Sequence, residues 1–269
     1  VQLETPFLVG GHPDLGSEDK MRQVASNHGT MTLNQLMDVF GDKAITLSMS
    51  AHPDESIDEA VKRLQSEAIN AVVNGAQCLV LDDSIILEGE QLWLDPLMVT
   101  AAVDRALRQA DHEPNLRRRA GVVTRSGSLR DLHDMALCIS LGANAIVPYA
   151  VYAAAIGMAP KPSREEPEPE QIVEWLTNTV RALTTGLEKV TSTIGCHELR
   201  GYGHSFSSIG LAKSVAAVFG TPNYFGSAAR GLTWTDLKAD AEERAAEFRG
   251  EKRARLQNPD RFFPKMWKK

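Results

Sequence analysis

The chain has 269 residues, 43% of them hydrophobic and 24% charged, the proportions of an ordinary water-soluble globular protein long enough for one large α/β domain or two small ones. Its net charge of −6 and pI near 5.7 weigh against a nucleic-acid-binding surface, because neutralising phosphates takes Lys and Arg clustered on one face. No apolar run approaches the ~18 residues that span a bilayer and no signal-like pattern opens the sequence, so a cytoplasmic protein without membrane or nucleic-acid partners is expected.

From Ala44 onward the pattern alternates strand and helix. Ala44 to Met49 is a short apolar run, followed by the capping box Ser56-Ile57-Asp58-Glu59. Apolar residues at 57, 60, 61, 64, 68, 71 and 72 keep helical spacing until Asn74-Gly75 ends the helix. Cys78 to Leu81 reads as a buried strand. Asp95-Pro96 opens the next helix, with proline at a favoured first position. The basic triplet Arg117-Arg118-Arg119 falls between a helix-like and a strand-like segment and reads as a solvated loop. Ala120 to Thr124 is the third strand. Ser128 with Asp131 is expected to cap a helix whose apolar face is Leu129, Leu132, Met135, Ala136 and Ile139, and Gly142 stops it before the fourth strand, Ala145 to Pro148.

Strands that are apolar throughout and separated by helices predict a parallel sheet covered on both faces. The expected fold class is α/β, a parallel (β/α) barrel-like domain related to the TIM barrel, with polar loops at the carboxyl ends of its strands. Beyond that core, Pro160 to Glu170 carries four prolines among charged residues and reads as an exposed linker. Ile172, Trp175, Leu176, Val180, Leu183, Leu187 and Val190 then define a long helix expected to pack back onto the sheet. A final charged helix, Trp234 to Phe248, has a narrow apolar face at Leu237, Ala241, Ala245 and Phe248. The expected organisation is a core over 1–158, a Pro/Glu-rich linker over 159–170, helices and a strand completing the domain over 171–233, and a charged helix and tail over 234–269.

The predicted strand ends bring polar residues together. Asp82 and Asp83 suit either proton transfer or metal binding, or the plainer work of capping the next turn and binding loop amides. Arg125 and Ser126 end the neighbouring strand, where the arginine suits either an anionic substrate or an ion pair to Asp82 or Asp83. Tyr149 follows the fourth strand. His133, in the first turns of a helix, suits a hydrogen bond to a neighbouring loop. Cys78, Cys138 and Cys196 are odd in number and scattered, which fits reduced thiols. Cys196-His197 lacks the further ligands of a zinc site. Val9-Gly10-Gly11 and Gly201-Tyr202-Gly203 read as turn glycines rather than phosphate loops.

Two blocks carry a family resemblance. GLEKVTSTIGCHELRGYGHSFSSIGL, Gly186 to Leu211, is similar to a segment near the end of the central domain of glutamate synthase large subunits. There a helix ends in a Lys-Val-Met-Ser-Lys-Met-Gly-Ile sequence, followed by Leu-x-Ser-Tyr and an Ile-Gly-Leu. SGSLRDLHDMALCISLGANAIVPYA, Ser126 to Ala150, resembles the family's Ser-Gly-Glu-x-Arg-x-x-His and Gly-Ala-x-Ala-x-x-Pro-Tyr runs. The resemblance covers roughly Pro6 to Gly231.

It implies a non-catalytic structural and ammonia-channelling module in glutamate formation from glutamine and 2-oxoglutarate. Glutaminase and FMN-binding synthase domains or subunits would be its partners. The catalytic cysteine, FMN phosphate loop and iron–sulfur ligands of the family are not found between Val1 and Lys269, so FMN and the cluster are expected in a partner or following domain and no cofactor in this chain. Asp83 matches the Asp of a family Ser-Asp-Arg, with Ser84 in place of the Arg. The family's Tyr-Arg-Gly-Ala-Gln loop is shortened to Tyr202-Gly203-His204-Ser205. Arg200, Tyr202, the loop to Ser208 and the segment after Phe225 are expected to meet neighbouring domains, the loop being too short, glycine-rich and polar to supply core packing. Arg261-Phe262-Phe263-Pro264 resembles a connection toward a further domain. The alternative is a stand-alone barrel-like enzyme or small-anion binder using Asp83, Arg125 and Tyr149.

Overall fold

The structure, a computed structural model, describes residues 2–11, 17–157, 169–203, 206–227 and 230–251. Thr32 and Gln35 form a capping box that starts α2 (Leu33–Phe40), which follows α1 (Glu18–Ser26). Strands β1 (Ala44–Ser48) and β2 (Ser50–Ala51) come next. Ser56 and Glu59 then cap α3 (Ile57–Val73), whose buried residues are Ile57, Ala60, Val61, Leu64, Ala68 and Val72. That set follows the helical spacing of the apolar residues, because one stripe of a helix faces the core. After Gly75, at φ +103°, come β3 (Cys78–Asp82), β4 (Leu92–Trp93) and α4 (Pro96–Gln109), the last capped by Asp95.

The second half contributes β5 (Gly121–Arg125), α5 (Leu132–Ser140), β6 (Ala145–Val147) and α6 (Tyr149–Ala155). The chain continues through α7 (Pro169–Thr193), β7 (Ser208–Ile209), α8 (Lys213–Phe219), β8 (Asn223–Tyr224) and α9 (Trp234–Phe248). The α5 cap is Asp131 alone, accepting from the Asp134 amide at 2.9 Å. Ser128 instead accepts the Trp93 indole N–H at 2.8 Å, and Leu129 is buried ahead of the helix rather than on it.

The central sheet is parallel, in the order β1-β3-β5-β6. The segment before α1 extends it: Leu8 N–H donates to the Ile146 carbonyl at 2.9 Å, and Ile146 N–H to that of Pro6 at 2.8 Å. Sheet strands therefore succeed one another in chain order from β1 to β6, as in a barrel-like α/β fold. The two faces alternate residue by residue. Leu47, Leu79, Leu81 and Val122 pack with α3 and α4, while Cys78, Val80, Val123, Ala145 and Val147 pack with Leu8 and Leu36.

Helix α7 rests on α1, α5 and α6, burying Leu176, Val180 and Leu187, and Leu187 shares a core cluster with Ile146 of β6 and with Phe7 beside it. The expected linker falls largely on residues 158–168, outside the described residues, and its last two, Pro169 and Glu170, already belong to α7. Helix α9 is anchored by Ala241 and Ala245 in the cluster that also holds α3 and α4, but Phe248 is 55% exposed and leaves the expected apolar face.

Candidate functional site

Register alone aligns Ser48, Asp82 and Arg125 at the carboxyl ends of three adjacent strands. The ladder continues one residue further, with Asp83 N–H donating to the Arg125 carbonyl at 3.3 Å and Ser126 N–H to that of Val147 at 3.1 Å. Tyr149 opens α6 just beyond β6 and leans back over the same place. The sheet thus gathers Asp82, Asp83, Arg125, Ser126 and Tyr149 from three separate strand ends.

Within this group almost every polar atom faces another member. Asp83 is fully buried and accepts the Tyr149 hydroxyl at 2.8 Å, the Gly127 amide at 3.2 Å and the Ser126 hydroxyl. Ser126 in turn accepts the Ser128 amide at 3.0 Å. Arg125 ion-pairs with Asp82 at 2.5 Å, donates to Ser84 at 2.6 Å and to the Gly11 carbonyl, and lies 5.0 Å from the Tyr149 ring centre. Asp82 also accepts the Ser84 amide at 2.9 Å. Burial pushes the Asp83 carboxyl up, opposed by the donors Ser126, Tyr149 and Gly127. Burial first, then the adjacent Asp83 charge, raises Tyr149 so that it stays a neutral donor.

Two glycines make this density possible. A Cβ on Gly127 would stand 2.8 Å from the Tyr149 hydroxyl, and one on Gly11, at φ +84°, 2.7 Å from Val147 Cγ1. Gly11 therefore presents its carbonyl to Arg125. Its signal was the Gly10-Gly11 pair, whose sequence shows a turn without naming the partner.

The other expected site residues lie elsewhere. His133 is exposed at the second position of α5, and its side chain makes no hydrogen bond to a loop among the described residues. Arg200 lies in a short 3-10 turn, Leu199–Gly201, and its side chain falls outside the described residues. Tyr202 is half-buried and packs, with Leu199, against the cluster of Phe7, Leu129, Met135 and Leu187. The turn at Tyr202 does supply core packing, contrary to expectation, its half-buried ring lying against the cluster that holds Leu187 of α7.

A second buried polar cluster escaped notice in the sequence. Asp104, 1% exposed on α4, accepts Arg117 at 2.5 Å and Arg108 at 2.5 Å. Arg117 also donates to the carbonyls of Ala120 and Gly142, both at 2.7 Å, and to the Asn144 side chain at 2.8 Å. It is a buried clamp between α4 and the starts of β5 and β6, not part of a solvated loop. The triplet hid it, since only Arg117 of the three turns inward.

The family-implied iron–sulfur cluster does not fit the described cysteines. Cys78 and Cys138 lie in separate apolar clusters with thiols pushed up to about 11 by burial, while Cys196 is half-buried after α7. Such thiols neither converge nor favour the thiolate a cluster needs. Among the described residues no group of three or more His, Cys, Asp or Glu is placed to hold a metal, and no helix is long and apolar enough to cross a membrane.

Comparison with known proteins gives this architecture a family. The model of the glutamate synthase central domain matches residues 2–212, ending before β8 and α9. The glutamate synthase [NADPH] large chain of Bacillus subtilis (strain 168) is 28% identical over 70% of this chain and 12% of its own length. The chloroplastic ferredoxin-dependent glutamate synthase of Oryza sativa subsp. japonica is 31% identical over 68% of this chain and 12% of its own length. The glutamate synthase [NADH] of Schizosaccharomyces pombe is 28% identical over 68% of this chain and 8% of its own length. The chain thus spans about a tenth of the length of these relatives, and its parallel sheet with its helices belongs to the glutamate synthase central domain family.

Proposed function

We propose that this chain is a non-catalytic structural module in glutamate biosynthesis, holding glutaminase and FMN-binding synthase domains or subunits in register so that ammonia passes between them. The observation that carries this reading is the self-satisfaction of the strand-end cluster. Asp83 is buried beneath three donors, and Arg125 is committed to Asp82, Ser84 and Gly11, so their hydrogen-bonding capacity is spent on fixing loops rather than on a substrate. A small-anion site built on Arg125 would have to break the Asp82 pair first, at the cost of a partly buried carboxylate left alone.

On this reading FMN and the iron–sulfur cluster reside in the partner, as do the cysteine nucleophile and the reaction of 2-oxoglutarate. The module's contribution is geometric. The test is a reconstituted system of this chain with the glutaminase and flavin-binding polypeptides of its own cell. Omitting the chain should abolish glutamate formation from glutamine while leaving formation from added ammonium intact. Equal loss with both nitrogen sources would show a role in the synthase chemistry itself, and no loss with either would remove the chain from the pathway.

A further inference from the structure

The strongest unexplained feature straddles the end of the family match at Ala212. Strands β7 and β8 pair in parallel, Ser208 with Asn223 and Ile209 with Tyr224, and Leu211 bridges Leu232 on the other side. The platform is firmly built. Asn223 accepts from Ser208 at 3.0 Å and donates to the Leu211 carbonyl at 2.9 Å. A Cβ on Gly226 would fall 1.9 Å from that same carbonyl oxygen, and one on Gly231, at φ +123°, 2.6 Å from the Leu211 carbonyl carbon. Only glycine lets these turns close so tightly on β7.

What this platform displays is apolar. Ile209 is 68% exposed, Tyr224 54%, Leu232 41% and Phe225 92%. Phe225 also holds φ at +57°, a left-handed conformation that is costly for a bulky side chain and that no burial of its ring repays. Exposed apolar surface on the order of 500 Å² is of the size that marks interaction sites. The segment that builds the platform carries one sign of charge: between Phe206 and Thr233 the only charged residues are Lys213 and Arg230, in a chain of net charge −6. Neither has an ion-pair partner among the described residues, and the nearby Asp236 is turned back to cap α9 through Thr233.

We infer that this face docks a different polypeptide, one presenting an apolar patch rimmed by Asp and Glu. A second copy of the chain is a poor occupant on two counts. An isologous contact would set Lys213 and Arg230 against their own counterparts, and the area falls short of the ~800 Å² each partner gives to a stable free interface. A contact of this size suits a partner also held elsewhere, as the proposed module would be. The inference goes beyond that reading, since it assigns the face and the chemistry of its occupant from β7, β8 and the charges of their segment.

The test is photo-cross-linking of the full chain in its native cell, with p-benzoylphenylalanine at position 225 and, as control, at Val39, an apolar position 60% exposed on α2. Cross-links from position 225 should exceed those from position 39 severalfold, reach one heterologous polypeptide and map to a peptide with apolar residues flanked by Asp or Glu. The double variant Lys213→Glu/Arg230→Glu should keep its fold and lower the yield roughly tenfold. Cross-links only to a second copy, a yield no higher than the control, or an undiminished yield in the double variant would each overturn the inference. A heterologous acidic partner outside glutamate synthesis would uphold the face and remove the proposed function. Conversely, intact ammonia transfer without cross-links from position 225 would remove the face alone.

Discussion

Replacing Asp83 separates a structural cluster from a catalytic one. In Asp83→Ala the Ser126 hydroxyl, the Tyr149 hydroxyl and the Gly127 amide lose their common acceptor, inside a site with no exposed surface on the aspartate. Each buried donor left unpaired costs about 1–3 kcal/mol. Partial refilling by water and rotation of the two hydroxyls bring the sum to about 3–5 kcal/mol. For a chain of this size that is a fall of roughly 10 °C in thermal midpoint. Asp83→Asn keeps the shape: one amide oxygen still accepts from Tyr149 and Gly127, and Ser126 turns to accept from the amide nitrogen, so the loss should be about 1 kcal/mol. Thermal unfolding followed by circular dichroism, with urea titrations to check that the slope is unchanged, measures both. An Asp83→Ala protein as stable as its parent yet dead in glutamine-dependent glutamate formation would refute the argument and make Asp83 a functional carboxylate.

Removing Arg117 should be as severe, because Arg117→Ala leaves Asp104 buried with only the half-exposed Arg108 beside it; a loss of about 3–5 kcal/mol is expected, against almost none for the exposed Arg118→Ala, in parallel urea titrations. The Asp83 carboxyl should titrate above its ordinary value of 3.8 when followed by carbon NMR. The fold then binds this proton more tightly than the unfolded chain does, so the group adds stability as pH falls through its raised value and costs stability above it. A midpoint at or below 3.8 would sink the burial argument. Tyr202→Ala should lower stability by about 1–3 kcal/mol, since the ring is half-buried against Phe7, Leu129 and Leu187; an unchanged midpoint would return Tyr202 to a purely external role.

How much of this was legible in the sequence follows from the range of the forces involved. The capping box at Ser56, the stripe from Ile57 to Val72 and the Asp95-Pro96 start are local, written within a few residues, and the helices form where those signals stand. The apolar strands announced a parallel sheet because burial on both faces leaves no polar alternation. Convergence of Asp82, Asp83, Arg125, Ser126 and Tyr149 followed from their positions at strand ends.

The pairing among those residues did not. Whether Arg125 met Asp82 or Asp83 depended on which carboxylate turned inward under Tyr149, 66 positions away along the chain. Gly11 joined them across 114 positions. Arg117 looked like its two neighbours until α4 brought Asp104 beneath it. Tyr202 looked exposed until α7 laid Leu187 against it. Local hydrogen-bond geometry and the helical and strand periods are properties of the chain itself. Desolvation and the choice of a distant partner exist only once tertiary packing has excluded water, and at those positions the tertiary structure decided the outcome.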